Sequence, residues 1–552
     1  MRTRAPMRAL AAARRALLVA AACALLTAPA AAQCLEASLL PPPSAGAPAG
    51  GWRFGSAVDV SGERLIVGAP GAADDPAAQS GFGIYERAGD DWSLVLDAFA
   101  RYDDADAGFD VALSGDWAAV GVPHVGVAPP GPGQVLVLRR LPGGWRHVQT
   151  LSAEPGFGEE FGLSVDLDGG LLAVGQRAGA GAAGAAHVFR LTGDTWVLDE
   201  LVTSPGAASD GFGRAVAVLD APGRPTLLVG APDHDVFGGG GIGGDGAARV
   251  FLRDAAGWAP IVLLPSFLPG AQLGTSVALS AEFAVAGAPQ ADAGSFIDEG
   301  LCVVARWNGM TYASTAPIPG TAGSLAGWSL AADDARFYFG CPGWSGMLGE
   351  QPGSGLVRGY ELEPGVPAWE LWPGAGAVGI SPTGALAAGD GLGRAVAVDG
   401  ARLVCGAPGH DGPLADTGAV WIFDLSVPAW AWDEPSIEGA LGPSGTALLS
   451  GDGSLCAGDG VTLHLHHALP DTPVALVVGL SKLDAPFLGG TLIPSPDAIV
   501  WLGTDAAGEL GVTAALPREL PAGTDLWMHA WWPDAGGPAG YAASNAIHGV
   551  TQ

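Results

Sequence analysis

At 552 residues, with 25 basic against 56 acidic side chains and a net charge of −31, the chain is too long for one ordinary core and too acidic to favour nucleic acid or anionic membranes as partners. Glycine (88) and proline (44) approach the composition at which disorder must be weighed, but 49% hydrophobic residues and 18 tryptophans supply a burial capacity that disordered chains lack. The apolar runs are short and punctuated by Gly, Pro and Asp, so the expected class is all-β.

The first element reads as a secretory signal, residues 1–32. Arg2, Arg4, Arg8, Arg14 and Arg15 form a basic segment, an apolar run follows from Ala16 to Leu26, and Ala30-Ala31-Ala32 offers a small-residue cleavage site before Gln33. Gln33 stands where a lipoprotein signal needs a small residue, which argues against lipidation of Cys34. No later stretch reaches the ~20 uninterrupted apolar residues of a membrane span, so export to a secreted or surface location is expected. Beyond Cys23 in the signal, the cysteines are Cys34, Cys302, Cys341, Cys405 and Cys456. Their odd number and scattered positions form no disulfide framework, and none has the CxxC spacing of a zinc site.

From residue 33 to 434 one unit recurs. It begins with Phe-Gly and an alternating strand, and its second strand ends in Gly-Ala-Pro. The first copy has Phe54-Gly55 and Val67-Gly68-Ala69-Pro70, then Trp92. The second is read from Phe109-Asp110-Val111 with Val120-Gly121-Val122-Pro123 and Trp145, and the third from Phe161-Gly162 with Val174-Gly175 and Trp196. Phe212-Gly213 with Gly230-Ala231-Pro232 and Trp258 is the fourth. Leu273-Gly274 with Gly287-Ala288-Pro289, Gly327-Trp328 with Gly340-Cys341-Pro342, and Leu392-Gly393 with Gly406-Ala407-Pro408 complete seven copies. A spacing of roughly 50–65 residues suits a four-stranded blade with one long loop, and the small Ala/Val/Gly strands suit the crowded axis of a ring. The segment Ala37 to Leu40 is expected to complete the seventh blade.

This alternation of Phe-Gly and Gly-Ala-Pro resembles the FG-GAP repeat family of integrin α-chain propellers and bacterial secreted proteins, over most of the chain after the signal. The resemblance implies a seven-bladed β-propeller in an adhesion or ligand-binding setting; it does not supply a ligand. Integrin-type repeats carry an Asp-rich calcium loop between the first two strands. Here most copies have only short turns such as Ser61-Gly62-Glu63-Arg64, Ser114-Gly115-Asp116 and Ser280-Ala281-Glu282, too poor in oxygen ligands for calcium. No cofactor is therefore expected from these loops, with calcium left open only through the chain's overall acidity, which could attract divalent cations.

Acids do gather after Gly-Ala-Pro, at Asp74-Asp75, Asp233-His234-Asp235, Asp292, His410-Asp411 and Asp416, with His124 after Pro123. Asp233, His234, Asp235, His410 and Asp411 are the candidate metal ligands, since His with carboxylates suits a transition metal. Against that reading, the copies that carry them are not neighbours around a ring, and turn formers explain the same residues. A second set, Asp103, Asp104, Asp106, Glu159, Glu160, Asp210 and Asp390, precedes Phe-Gly and reads first as turn chemistry, second as a binding rim. No nucleophile elbow, His-Glu-x-x-His motif or phosphate loop is present, and the run Gly238 to Gly244 reads as a flexible insertion.

After Pro435 the strands change character. Val461 to His466, Val474 to Leu480, Ala498 to Leu502, Leu510 to Ala515 and Leu526 to Trp531 predict a smaller β-sandwich-like module over 435–552. His464 and His466 are expected as exposed strand residues, and Trp527, Trp531 and Trp532 as packing, with a sugar-stacking platform as the sharper alternative. The leading functional expectation is a non-enzymatic secreted or surface scaffold binding an extracellular protein or glycan. A polysaccharide-active hydrolase or lyase on the same scaffold, and a purely structural envelope protein, are the alternatives.

Overall fold

Short apolar runs flanked by glycine turns become strands in the computed structural model. It describes residues 34–42, 51–71, 79–89, 91–99, 102–103, 106–125, 131–153, 160–177, 184–204, 210–235, 244–266, 268–292, 297–314, 317–320, 323–333, 336–345, 352–361, 378–380, 386–411, 417–425, 432–436, 447–452, 455, 460–466, 468–506, 508–516, 520–521 and 523–551. The expected signal, Asp74-Asp75, Asp104, Glu159, Asp416, Cys456 and most of the Gly238 to Gly244 run lie outside these residues. No α-helix occurs among the described residues; the chain is all-β with a propeller-like arrangement of sheets.

Two compact units are present, residues 35–379 with 386–423, and a second made chiefly of 424–552. In the first, seven sheets follow in chain order. Their inner strands are Ala57–Ser61, Val111–Ser114, Phe161–Asp168, Val216–Leu219, Ser276–Leu279, Leu330–Ala332 and Ala395–Asp399, which number sheets 1 to 7. In sheets 1 to 6 the following strands pair outward in sequence; sheet 7 takes its fourth strand from Cys34–Leu39, so the N-terminal segment does complete it. Glu36 on that strand reaches Arg402 of sheet 7 at 3.2 Å and Arg87 of sheet 1 at 2.5 Å, and accepts the Trp92 indole N–H at 3.0 Å.

Each inner strand neighbours the next, and Ala395–Asp399 neighbours Ala57–Ser61, so the sheets close a ring. The bridge from Phe54 to Gly418, between sheets 1 and 7, repeats the bridges Gly246–Leu273, Gly300–Ala326 and Gly355–Leu392 between successive sheets. Small inner side chains permit this convergence. The second strands, such as Thr226–Ala231 and Phe283–Ala288, are buried throughout because a sheet packs on either face, which explains their unbroken apolar runs. Apolar clusters accordingly lie between sheets: Val58, Val60 and Val67 with Ala397, Val404 and Ile422, for example.

The Gly-Ala-Pro motif acquires a reason here. A Cβ on Gly68, Gly121, Gly175, Gly230, Gly287, Gly340 or Gly406 would sit 1.8–2.2 Å from the carbonyl oxygen of Gly108, Gly162, Gly213, Gly274, Gly327, Gly393 or Gly55 respectively, in the next sheet around the ring. Only glycine allows that backbone approach. Strands end at Ala69, Ala231, Ala288, Cys341 and Ala407, directly before proline, which has no N–H for the ladder. Sheet 2 departs from the rule, its second strand running through Pro123 to Val125.

That contact also corrects the register of the second repeat. Gly108, not Phe109-Asp110, occupies the Phe-Gly position: its φ is 83°, its N–H donates to Gly121, and it abuts Gly68. Ala107 therefore stands where the sixth copy has Ala326 and the other five have Phe or Leu. Cys302, Cys341 and Cys405 are buried free thiols, each pushed above its usual range by burial.

The second unit holds a five-stranded sheet (Trp432–Ser436, Tyr541–Val550, Asp525–Pro533, Pro473–Gly479, Ala498–Gly503 in that order) and a three-stranded one (Leu448–Asp452, Gly460–His466, Leu510–Ala515). Both contribute to one apolar core, with Leu449, Leu463 and Leu465 beside Leu476, Met528 and Trp532. The strand Trp432–Ser436 spans the expected boundary at 434 and pairs within this unit. Lys482–Phe487 and Gly490–Pro494 form a separate hairpin.

Candidate functional site

The seven sheets begin with the same turn. The carbonyls of Arg53, Asp106, Glu160, Gly211, Gln272, Leu325 and Gly391 accept the N–H three residues on, from Ser56, Phe109, Leu163, Arg214, Thr275, Trp328 and Arg394, at 3.0–3.2 Å. The third residue is always glycine with φ of 82–93°, as a type II turn requires. The first residue also has positive φ, 46–70°, and in five sheets it is not glycine: Arg53, Asp106, Glu160, Gln272 and Leu325. Backbone strain of this kind persists only where the surroundings fix it, and here ring packing does so.

The loops that follow the second strands lie beside these turns. Gly71, Asp233, Gly343 and Gly409 donate their N–H groups to the carbonyls of Trp52, Asp210, Ser324 and Asp390. Turns and loops together make one face of the ring, with constant backbone and varied side chains.

On this face the structure places the predicted acids and histidines in pairs. His124 Nδ1 lies 2.8 Å from Asp106 and its Nε2 3.7 Å from Glu160, which is in turn held by Arg177 at 3.1 Å. His410 Nδ1 lies 2.8 Å from Asp390, a carboxylate only 1% exposed, and its ring meets Trp421 edge-on. His234 faces the buried Asp210 at 3.8 Å. Asp210 accepts the Phe212 N–H and the Ser204 hydroxyl, so Asp210 and Asp390 are interior anchors of their loops rather than solvated turn acids or an open rim. Asp233, His234 and Asp235 belong to sheet 4, and His410 and Asp411 to sheet 7, with two sheets between them on one side of the ring. No three His, Cys, Asp or Glu side chains gather as a metal site among the described residues.

The hairpins joining first and second strands are tight turns, with Gly62, Gly115, Gly169 and Gly400 at φ of 55–57°. Beside them run three inner-strand carboxylates, each half-buried. Asp59 accepts the N–H groups of Val60 and of Leu113 in sheet 2. Asp110 accepts from Val111 and from Val165 in sheet 3, and Asp166 from Leu167 and from Val218 in sheet 4. Burial raises Asp110 and Asp166 to about 7, the Val165 and Val218 N–H groups opposing it, and burial, then the nearby Asp166, also holds Asp59 well above the usual carboxylate range. These groups clip the free edges of the inner strands of sheets 2, 3 and 4 to the preceding sheet.

In the second unit His464 and His466 are half-buried rather than exposed, stacked at 6.0 Å, with His466 on Glu509. Trp531 and Trp532 are buried, Trp527 stacks on His548 at 4.1 Å, and Trp501, which sequence reasoning missed, is 71% exposed. Also missed were the inner carboxylates and Arg53, Arg214 and Arg394; aligning the residues that flank each Phe-Gly glycine would have brought out the arginines.

No family model matches the chain, and no curated protein matches it. Among solved structures it is similar to the β-propeller domain of the Trilobed protease from Pyrococcus furiosus, at 10% identity, TM-score 0.38, covering 69% of this chain and 97% of that one. A protein from Lactobacillus plantarum is similar at 14% identity, TM-score 0.38, covering 63% of this chain and 90% of that one.

Proposed function

We propose that this chain is an exported, seven-bladed FG-GAP-type propeller with a C-terminal β-sandwich-like module, acting as a non-enzymatic scaffold that binds an extracellular protein or glycan. The reading is carried by the turn face. One backbone turn is repeated seven times there, while the residue after each turn glycine changes freely: Ser56, Phe109, Leu163, Arg214, Thr275, Trp328, Arg394. A constant frame bearing variable side chains is how loop-bearing scaffolds acquire ligands. The inner carboxylates support the same reading, because each is engaged by two backbone N–H groups.

The test is binding of the purified chain, from residue 33 onward, to an array of glycans and extracellular proteins, with and without EDTA. Specific binding that survives EDTA is expected. Binding abolished by EDTA would make the acidic loops metal sites after all. Absence of any binding, with turnover of a polysaccharide, would replace the scaffold with the enzymatic alternative.

A further inference from the structure

Arg53, Arg214 and Arg394 flank the turn glycines of sheets 1, 4 and 7, two of them immediately after the glycine and one two residues before it. They therefore lie at the same end of the inner strands, where the ring is narrowest. Among the described residues none of the three side chains makes a hydrogen bond or an ion pair. In a chain of net charge −31 that is unusual, since carboxylates are abundant and most other arginines of the ring have them: Arg87, Arg140, Arg177, Arg253, Arg336 and Arg402 all do.

All three arginines stand at the turn ends of the inner strands, and Arg394 feels the charge of the other two. Burial, then repulsion from Arg53 and Arg214, holds Arg394 below the usual arginine range, although Arg214 belongs to a sheet across the ring. Burial and then Arg177 do the same to Arg214, with Asp110, Glu160 and Asp233 pulling the other way from beyond ion-pair distance. Arg53 and Arg394 are exposed and Arg214 is half-buried, so the like charges face solvent at the mouth and are open to an anion. Aromatic surface stands beside them. The Arg394 guanidinium lies 4.1 Å from the Trp328 ring centroid, and Trp328 and Phe109 occupy the equivalent turn positions of sheets 6 and 2.

We propose that the mouth of the ring bounded by Arg53, Arg214 and Arg394 is a binding site for an acidic saccharide, its carboxylate or sulfate groups taken by the guanidinium forks and its sugar faces by Trp328 and Phe109. Planar arginine forks match two-oxygen anions in a way that lysine does not, and this mouth offers forks whose N–H groups have no hydrogen-bond or ion-pair partner among the described residues. The inference rests on the scaffold reading and specifies its ligand.

The experiment is titration calorimetry on the purified chain with a uronate oligosaccharide, a sulfated oligosaccharide, a neutral oligosaccharide of equal length, polyglutamate and inorganic sulfate. One or both acidic saccharides should bind, more weakly as salt rises, and the neutral one should not. Arg214→Gln and Arg394→Gln should each weaken binding by about tenfold or more, with Arg214→Lys intermediate and thermal midpoints close to that of the unmodified chain. Equal binding of acidic and neutral saccharides, or acidic binding untouched by both glutamine variants, overturns the proposal. So does binding of polyglutamate or sulfate alone. If the glutamine variants fail to fold, a flat salt dependence in the unmodified chain overturns it equally. A protein or neutral glycan captured on the array with full affinity by both glutamine variants would leave the scaffold reading standing while removing the arginine mouth.

Discussion

Acid should strengthen the ring, and Asp166 is where this can be measured. The carboxylate is raised from 3.8 to about 7, first by burial, while the N–H groups of Val218 and Leu167 hold its two oxygens. A folded-state value above the unfolded one means that the group's contribution is full below about pH 4 and is lost as pH rises through about 7. At about 1.4 kcal/mol per unit, moving from pH 8 to pH 5 would return nearly 3 kcal/mol for a fully dry group. Asp166 is half-buried, and screening by solvent reduces the expected swing to about 1–2 kcal/mol.

Other groups titrate in the same window. His187 and His529 are held down to about 4 by burial, and they oppose the effect below about pH 6.5 because the unfolded chain protonates there first. Comparison with Asp166→Asn cancels them. The substitution presents an amide N–H₂ to one of two backbone donors, costing about 1–3 kcal/mol at low pH. Urea denaturation from pH 5 to 8 should therefore show the unmodified chain ahead at pH 5, with its lead shrinking by about 1–2 kcal/mol by pH 8. A stability difference that is constant across this range, or that widens toward pH 8, would refute the assignment of a raised carboxylate at this clip.

Three further outcomes follow from the ring. Gly406→Ala puts a methyl 1.9 Å from the Gly55 carbonyl at the closure between sheets 7 and 1 and should cost about 3 kcal/mol or more in denaturant unfolding. Gly62→Ala, with φ of 57° and open space around it, should cost only about 1–2 kcal/mol, and equal losses would discount the close approach. Glu36→Ala strips Arg402, Arg87 and Trp92 of their shared partner on the closing strand; a loss of about 2–4 kcal/mol is expected, and one below about 0.5 would mean that this strand does not secure the ring. Cys302 and Cys341, the latter pushed up to about 12 by burial, should resist a thiol reagent in the native protein and react in step with unfolding, whereas fast native labelling would show that the interface between sheets 5 and 6 opens locally.

Much of this was legible in the residues because the repeat is local chemistry. A glycine at positive φ, a proline ending a strand and a run of small apolar residues each act within a few positions, and seven copies of them specify sheets of the same kind. The misread second copy marks the edge of that method: Ala107-Gly108-Phe109 offers two candidate starts, and only the seat of Gly108 against Gly68 decides between them. The strand Tyr541–Val550 escaped notice for a related reason. It is buried on both faces along most of its length, so its Ala, Ser and Asn residues show no alternation.

What lay beyond the sequence was partnership across the ring. Asp59, Asp110 and Asp166 accept N–H groups 52–55 residues away, and no pattern within one copy announces that their second partner is the edge of the next sheet. The pairing of His410 with Asp390 and the lack of a partner for Arg214 are likewise facts of closure. Turn geometry and strand ends are decided by steric preferences of adjacent residues, and the sequence by itself determined those. Which charges are paired, buried or left facing a common mouth depends on distances between segments far apart in the chain, and only the tertiary structure decided them.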